Sequence, residues 1–163
     1  MAMTITLEAP HTADDVLPVD AIFDLAETRR IELELPYAGA VTPVEAWRLS
    51  TQKAARLVDV RTQAEFRFVG SVPGSVNVEW HGSDEVPVAT FLENLRRKVD
   101  PSQPVLLLCR SAVRSDSAAR AAAAAGFARV YNVLEGFEGK RNHVGQRGHI
   151  DGWRRHGLPW IQD

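Results

Sequence analysis

The sequence predicts an α/β domain, a short and mainly parallel sheet flanked by helices on both faces. Two observations predict it. Apolar runs too brief for helices, Arg56–Val60, Ser75–Val78, Pro104–Leu108 and Arg129–Val133, alternate with segments of helical spacing, and such alternation is how a parallel sheet is written in sequence. Pro104–Leu108 is also apolar throughout, as a strand covered on both sides must be.

The elements follow in order. Residues 1–40 are expected to form an N-terminal arm and helix, and residues 41–163 the domain itself. The first sixteen residues mix Ala, Thr, Pro and acids without a period, the composition of a mobile arm. Ile22, Phe23, Leu25 and Ala26 give Asp20–Arg30 a helical spacing, and Leu35–Gly39 reads as a connection. Thr42 can cap a helix, Pro43 suits its first position and Glu45 completes a capping box. Ala46, Trp47 and Leu49 supply that helix's buried face. The Pro73–Gly74 turn precedes the second strand. Phe91–Val99 is a helix stopped before Pro101, and the alanine-rich Arg114–Ala125 ends at Gly126.

Composition excludes several function classes. The 163 residues carry 19 Lys plus Arg against 21 Asp plus Glu, a formal charge of -2, with 45% apolar and 25% charged residues. A dedicated nucleic-acid binder would show a basic excess, and a disordered chain fewer apolar residues. The N-terminus lacks the basic start and apolar stretch of a signal peptide, and the apolar run Ala121–Ala128 is too short to span a bilayer. A cytoplasmic protein with no membrane or nucleic-acid partner is expected. His143 and His149 lie in a Gly-, Arg- and His-rich stretch, Phe137–Gly152, which reads as a rim or lid; they lack further ligands at metal-binding spacing. Gly136–Lys140 lacks the spacing of a nucleotide-binding loop. No metal or organic cofactor is expected.

The chemistry concentrates at Cys109, the only cysteine. It directly follows Val105–Leu108 and precedes a helix by a few residues, and ligands of open α/β sheets bind at the carboxyl ends of strands. A loop that turns there into a helix brings successive backbone N–H groups together, with the positive end of the helix behind them, and so suits an anion. An ordinary thiol is only about 3% ionised at neutral pH, and making it a useful nucleophile takes about 2.7 kcal/mol of anion stabilisation. A helix end supplies about 0.3–1 kcal/mol. The loop's N–H donors, Arg110 and Arg114 are the expected source of the rest. A lone cysteine is more often a buried apolar side chain, but two arginines and two serines in the six positions after it are poor core filler. Arg114 has a second reading as a helix residue paired with an acid, and Asp59 with Arg61 reads equally as an ion pair holding adjacent loops or as catalytic.

The run Cys109, Arg110, Ser111, Ala112, Val113, Arg114, Ser115 resembles the active-site loop of rhodanese-type sulfurtransferases, Cys-Arg-Ser-Gly-x-Arg-Ser. Other family features stand in the same order. Asp59, Val60, Arg61 with Glu65 and Phe66 are similar to an Asp-Val-Arg…Glu-Phe signature. Gly70–Asn77 resembles Gly-His-Ile-Pro-Gly-Ala-x-Asn, Asn132–Gly136 a strand before a glycine turn, and Trp153 with Gly157–Trp160 the family's ending. The resemblance covers about Thr42 to Trp160. It departs at Ala112, where the family has glycine, and at Ser71, where it has histidine.

It implies a rhodanese-like fold and a sulfurtransferase, thiosulfate sulfurtransferase-like, working through a Cys109 persulfide. Arg110, Ser111, Ala112, Val113, Arg114 and Ser115 would bind a small anionic sulfur donor, and a protein or thiol would accept the sulfur. The alternatives are a sulfur-carrier or binding module that does not turn over, and a cysteine-dependent phosphatase or arsenate reductase. Phosphatase loops place five residues between Cys and Arg, whereas four separate Cys109 from Arg114, and the smaller cradle suits a sulfur atom.

Overall fold

A computed structural model describes residues 17–82 and 87–163. The expected arm, residues 1–16, lies outside the described residues. Five parallel-paired strands, β1 (Gly39–Val41), β2 (Arg56–Asp59), β3 (Val76–Asn77), β4 (Val105–Leu108) and β5 (Val130–Val133), form one sheet in the order β1-β5-β4-β2-β3. The helices are α1 (Val19–Glu32), α2 (Pro43–Thr51), α3 (Val88–Lys98) and α4 (Val113–Ala124), with a π-helical turn at Glu65–Val69.

The expected α/β sheet covered on both faces is what forms. Alternate strand residues feed two separate cores. Leu57, Leu106, Leu108 and Val133 pack with Ile22 and Ala26 of α1, with Val44 and Leu49 of α2, and with Trp153 and Leu158 from the C-terminal segment. On the other face Val58, Val105, Leu107 and Val130 pack with Phe91 and Leu95 of α3 and with Ala118, Ala119 and Ala122 of α4. The alanines let α4 lie close against the strands. Thr42 caps α2 through the reciprocal box with Glu45, and Glu45 also takes both ends of the Arg29 guanidinium at 2.7 and 2.9 Å, tying α1 to α2.

Two elements depart from the sequence expectation. Strand β1 begins at Gly39, the last residue of the segment read as a connection, and runs on to Val41, where no strand is expected. Three residues are too few to show a period, and their pairing with β5 is a long-range event. Gly39 is needed there because any Cβ would stand 2.3 Å from the Ala26 carbonyl oxygen of α1. The second is the π-helical turn Glu65–Val69, which falls where the sequence reading assigns no element. Through its backbone, Ser71 exchanges two 2.8 Å hydrogen bonds with Ile161, which ties the C-terminal segment to the chain before β3.

β4 lies between β2 and β5, and the connections leaving β2 and β4 run in opposite lateral directions. A crevice therefore opens where their carboxyl ends diverge. Asp59 on β2 is registered with Leu108 on β4, so Asp59–Arg61 and Cys109 meet there.

Candidate active site

Cys109 sits at the floor of this crevice, 1% exposed and the only cysteine. The chain then turns through Arg110, Ser111 and Ala112 into α4. Ala112 is the N-cap and has φ +70°, in the left-handed region, with no side-chain cap for the helix amides. The family's glycine thus marks a real backbone requirement, which alanine meets with strain. Helix amides without a cap are free to face an anion.

The loop is held from three sides. From the glycine turn after β5, Phe137 N–H donates to the Cys109 carbonyl at 2.8 Å, and Glu138 and Gly139 N–H donate to the Arg110 carbonyl at 3.0 and 3.1 Å. Gly136 makes this approach possible: a Cβ there would lie 2.5 Å from backbone atoms of Arg110 and Ser111, and its φ is +74°. From the π-helical turn, Glu65 receives both nitrogens of Arg114 at 2.8 and 2.9 Å. Thr62 orients that carboxylate through its N–H at 3.0 Å. Burial works to raise the Glu65 carboxyl, but Arg114 and the Thr62 hydrogen bonds outweigh it and hold the group down at about 2. The same pairing raises Arg114. Of the two readings of Arg114, the structure takes the ion pair; Arg114 braces the loop and spends its charge on Glu65. Arg110 is exposed at the rim.

From beneath, Ser115 and Asn132, both buried, complete the support. Ser115 Oγ lies 3.2 Å from Cys109 Sγ and donates to Asn132 Oδ1 at 2.6 Å, while Asn132 Nδ2 donates to the Ala112 carbonyl at 3.2 Å. Tyr37 donates to Asp116 at 2.6 Å, and burial together with this acceptor pushes its phenol up, so it stays protonated.

Asp59 and Arg61 form a fully buried ion pair, 2.6 Å at the shortest contact. Arg61 also donates to the Gly70 carbonyl at 2.7 Å and lies 4.3 Å from the centre of the Phe137 ring. It thereby joins β2, the segment before β3 and the glycine turn, a structural role. Phe137–Gly152 is a tied rim: Gly148 N–H donates to the Glu138 carbonyl, Lys140 N–H to Asp151, and Arg147 to the Gly139 carbonyl at 2.7 Å. Desolvation, and then the nearby Arg110 and Arg141 guanidiniums, push Arg147 down. The rim therefore adds positive charge beside Arg110. His143 and His149 are exposed on it, and among the described residues no cluster of His, Cys, Asp and Glu could hold a metal. Trp80 and Trp153 are buried anchors, and Trp160 lies edge-on to Phe137. A separate cleft of about 500 Å³ lies around Arg56 and Pro104, at the amino ends of the strands. It is remote from the thiol and lacks its chemistry.

Of the loop residues singled out in the sequence, Ser115 lies against Cys109 Sγ, whereas Arg110 is exposed at the rim and Arg114 is turned to Glu65. Two supporting residues were not singled out as such: Glu65 as the partner of Arg114, signalled by the Thr62-x-x-Glu65 capping pattern, and Asn132, a buried polar residue in a strand buried throughout.

Comparison with known proteins identifies the family and the fold. The rhodanese-like domain family matches residues 42–143. A thiosulfate sulfurtransferase, GlpE, of Actinobacillus pleuropneumoniae serotype 5b is 31% identical over 119 residues, 73% of this chain and 89% of that protein. The uncharacterized protein RP600 of Rickettsia prowazekii is 34% identical over 116 residues, 65% of this chain and 82% of its own. The crystal structure of Rv0390 from M. tuberculosis superposes with a TM-score of 0.68 at 47% identity, covering 78% of this chain and 99% of that one. Among the described residues, no helix is long and apolar enough to cross a membrane.

Proposed function

The chain belongs to the rhodanese-like family, and from that membership and the surroundings of Cys109 we propose that it is a sulfurtransferase moving a sulfane sulfur from thiosulfate or a persulfide donor to a nucleophilic acceptor. The Cys109 thiolate attacks the donor's outer sulfur. A new S–S bond forms to Cys109 Sγ, the donor's own sulfur bond breaks, and its electron pair leaves with the remainder, which is sulfite when the donor is thiosulfate. The acceptor then attacks the outer sulfur of the persulfide and the Cys109 thiolate is regenerated. No net redox change and no cofactor are needed.

The observation that carries this reading is the uncapped start of α4 beside the thiol. The N–H groups of Ser111 to Ser115 are the donors we assign to the anionic outer sulfur. Arg110, with Arg147 and Arg141 nearby on the rim, attracts an anionic donor. Arg114 serves the same end through its brace to Glu65, which keeps the loop closed. The depth of Cys109 restricts donors to those presenting a slim terminal sulfur. A lone cysteine that must stay a free thiol between turnovers suits a reducing compartment, and we place the reaction in the cytoplasm.

Purified protein given thiosulfate and cyanide tests this. Steady thiocyanate formation that disappears in Cys109→Ser supports the enzyme. Persulfide loading without turnover supports the carrier, and phosphate-ester hydrolysis outpacing sulfur transfer supports the phosphatase.

A further inference from the structure

The hydrogen bonds under Cys109 have a definite direction. Ser115 carries a single hydroxyl proton, and the 2.6 Å contact to Asn132 Oδ1 uses it, because an amide oxygen only accepts. The orientation of Asn132 is set independently. Its Nδ2 donates to the Ala112 carbonyl at 3.2 Å and also faces the Tyr37 phenol. Turning the amide over would set Oδ1 against that carbonyl and leave two acceptors opposed. In the 3.2 Å contact between Ser115 Oγ and Cys109 Sγ, the donor is therefore the S–H of a thiol.

We propose that Asn132 is a positioning residue that latches the Ser115 hydroxyl away from Cys109, so that Sγ is favoured in its uncharged forms. An anionic Sγ gains a hydrogen bond from Ser115 only if Asn132 Oδ1, buried between β5 and α4, gives up its own. On the sulfur-transfer reading, Sγ is uncharged again once the persulfide forms. The latch then disfavours the attacking thiolate relative to the loaded enzyme, leaves it poorly solvated and reactive, and drives loading forward. The charged and titratable groups around Sγ lie on several elements: Arg114 with Glu65, Asp116 with Tyr37, and Asp59 with Arg61. None is altered in the proteins compared below.

With one cysteine, the ultraviolet absorbance of the thiolate can be titrated directly, without a reagent that must reach the buried sulfur and without any sulfur donor. Asn132→Leu frees Ser115 to donate to the thiolate. Its titration midpoint is expected about one pH unit below that of the unmodified protein, a tenfold gain in thiolate below the midpoint. In a Ser115→Ala background the same substitution should shift the midpoint by less than about a third of that. An equal shift in both backgrounds, or none with Ser115 present, overturns the latch. Asn132→Ala carries the same expectation should the leucine variant not fold. The infrared S–H stretch of the unmodified protein is a check that needs no Asn132 variant. It should sit at the lowered frequency of a donating thiol and rise in Ser115→Ala, and a free-thiol frequency in the unmodified protein refutes the assignment. Because no donor is present, a failure of sulfur transfer leaves these outcomes untouched, and the reverse also holds.

Discussion

Ala112→Gly should stabilise the protein, although glycine inside a helix usually costs stability, because Ala112 is the N-cap of α4. Ala112 sits at φ +70°, and the left-handed region costs an L-residue about 1–2 kcal/mol. Glycine removes that strain but returns about 0.4–1 kcal/mol to the unfolded chain as entropy. The methyl group is half-buried and contributes a few tenths at most. The Ala112 carbonyl keeps both of its donors, Asn132 Nδ2 at 3.2 Å and Asp116 N–H at 3.1 Å. The balance at mid-values is a gain of about 0.5 kcal/mol, or roughly 1–2 °C in Tm for a chain of this size. Urea denaturation with an unchanged slope reads it directly. A loss of half a kcal/mol or more would mean that the loop is not strained at this residue, and the account of the family's glycine would fail with it.

Other substitutions probe the supports of the loop. Gly136→Ala puts a Cβ 2.5 Å from backbone atoms of Arg110 and Ser111 at a φ of +74°, and should cost about 2–5 kcal/mol by denaturation while slowing sulfur loading. Arg61→Ala leaves Asp59 as an unpaired buried charge and should cost about 3–5 kcal/mol; a loss under 1 kcal/mol would refute the buried pair's structural role. Glu65 is held at about 2, below its ordinary 4.5, so the folded state binds its proton less readily than the unfolded one. Its contribution is complete above about pH 4.5 and fades as the pH falls towards 2. Stability measured over that window should fall less steeply in Glu65→Gln, and parallel curves would contradict the Arg114 brace.

Much of this was legible in the sequence. The apolar run Pro104–Leu108 gave away the central strand, the Thr42–Pro43–Glu45 cluster gave the start of α2, and the residues after Cys109 marked the loop, because each of these signals is local. β1 was not legible: Gly39–Val41 is a strand only because β5 lies beside it and α1 passes over Gly39. The bracing of Arg114 by Glu65 joins residues 49 positions apart, and charge patterning along the chain gives no sign of which acid an arginine will meet. Asn132 was hidden for a similar reason. A polar residue in a buried strand looks like a flaw until the Ala112 carbonyl and the Ser115 hydroxyl are seen on either side of it. The rim 137–152 shows basic, glycine-rich composition in sequence, but only its backbone ties show that it is fixed.

The central claim is that Cys109 carries the transferred sulfur. Mass spectrometry of the intact protein after incubation with thiosulfate and removal of the excess should show a gain of one sulfur atom, mapped to the peptide containing Cys109, reversed by cyanide and absent from Cys109→Ser. A protein that stays unloaded under these conditions, or whose added sulfur persists when Cys109 is replaced, would contradict the account.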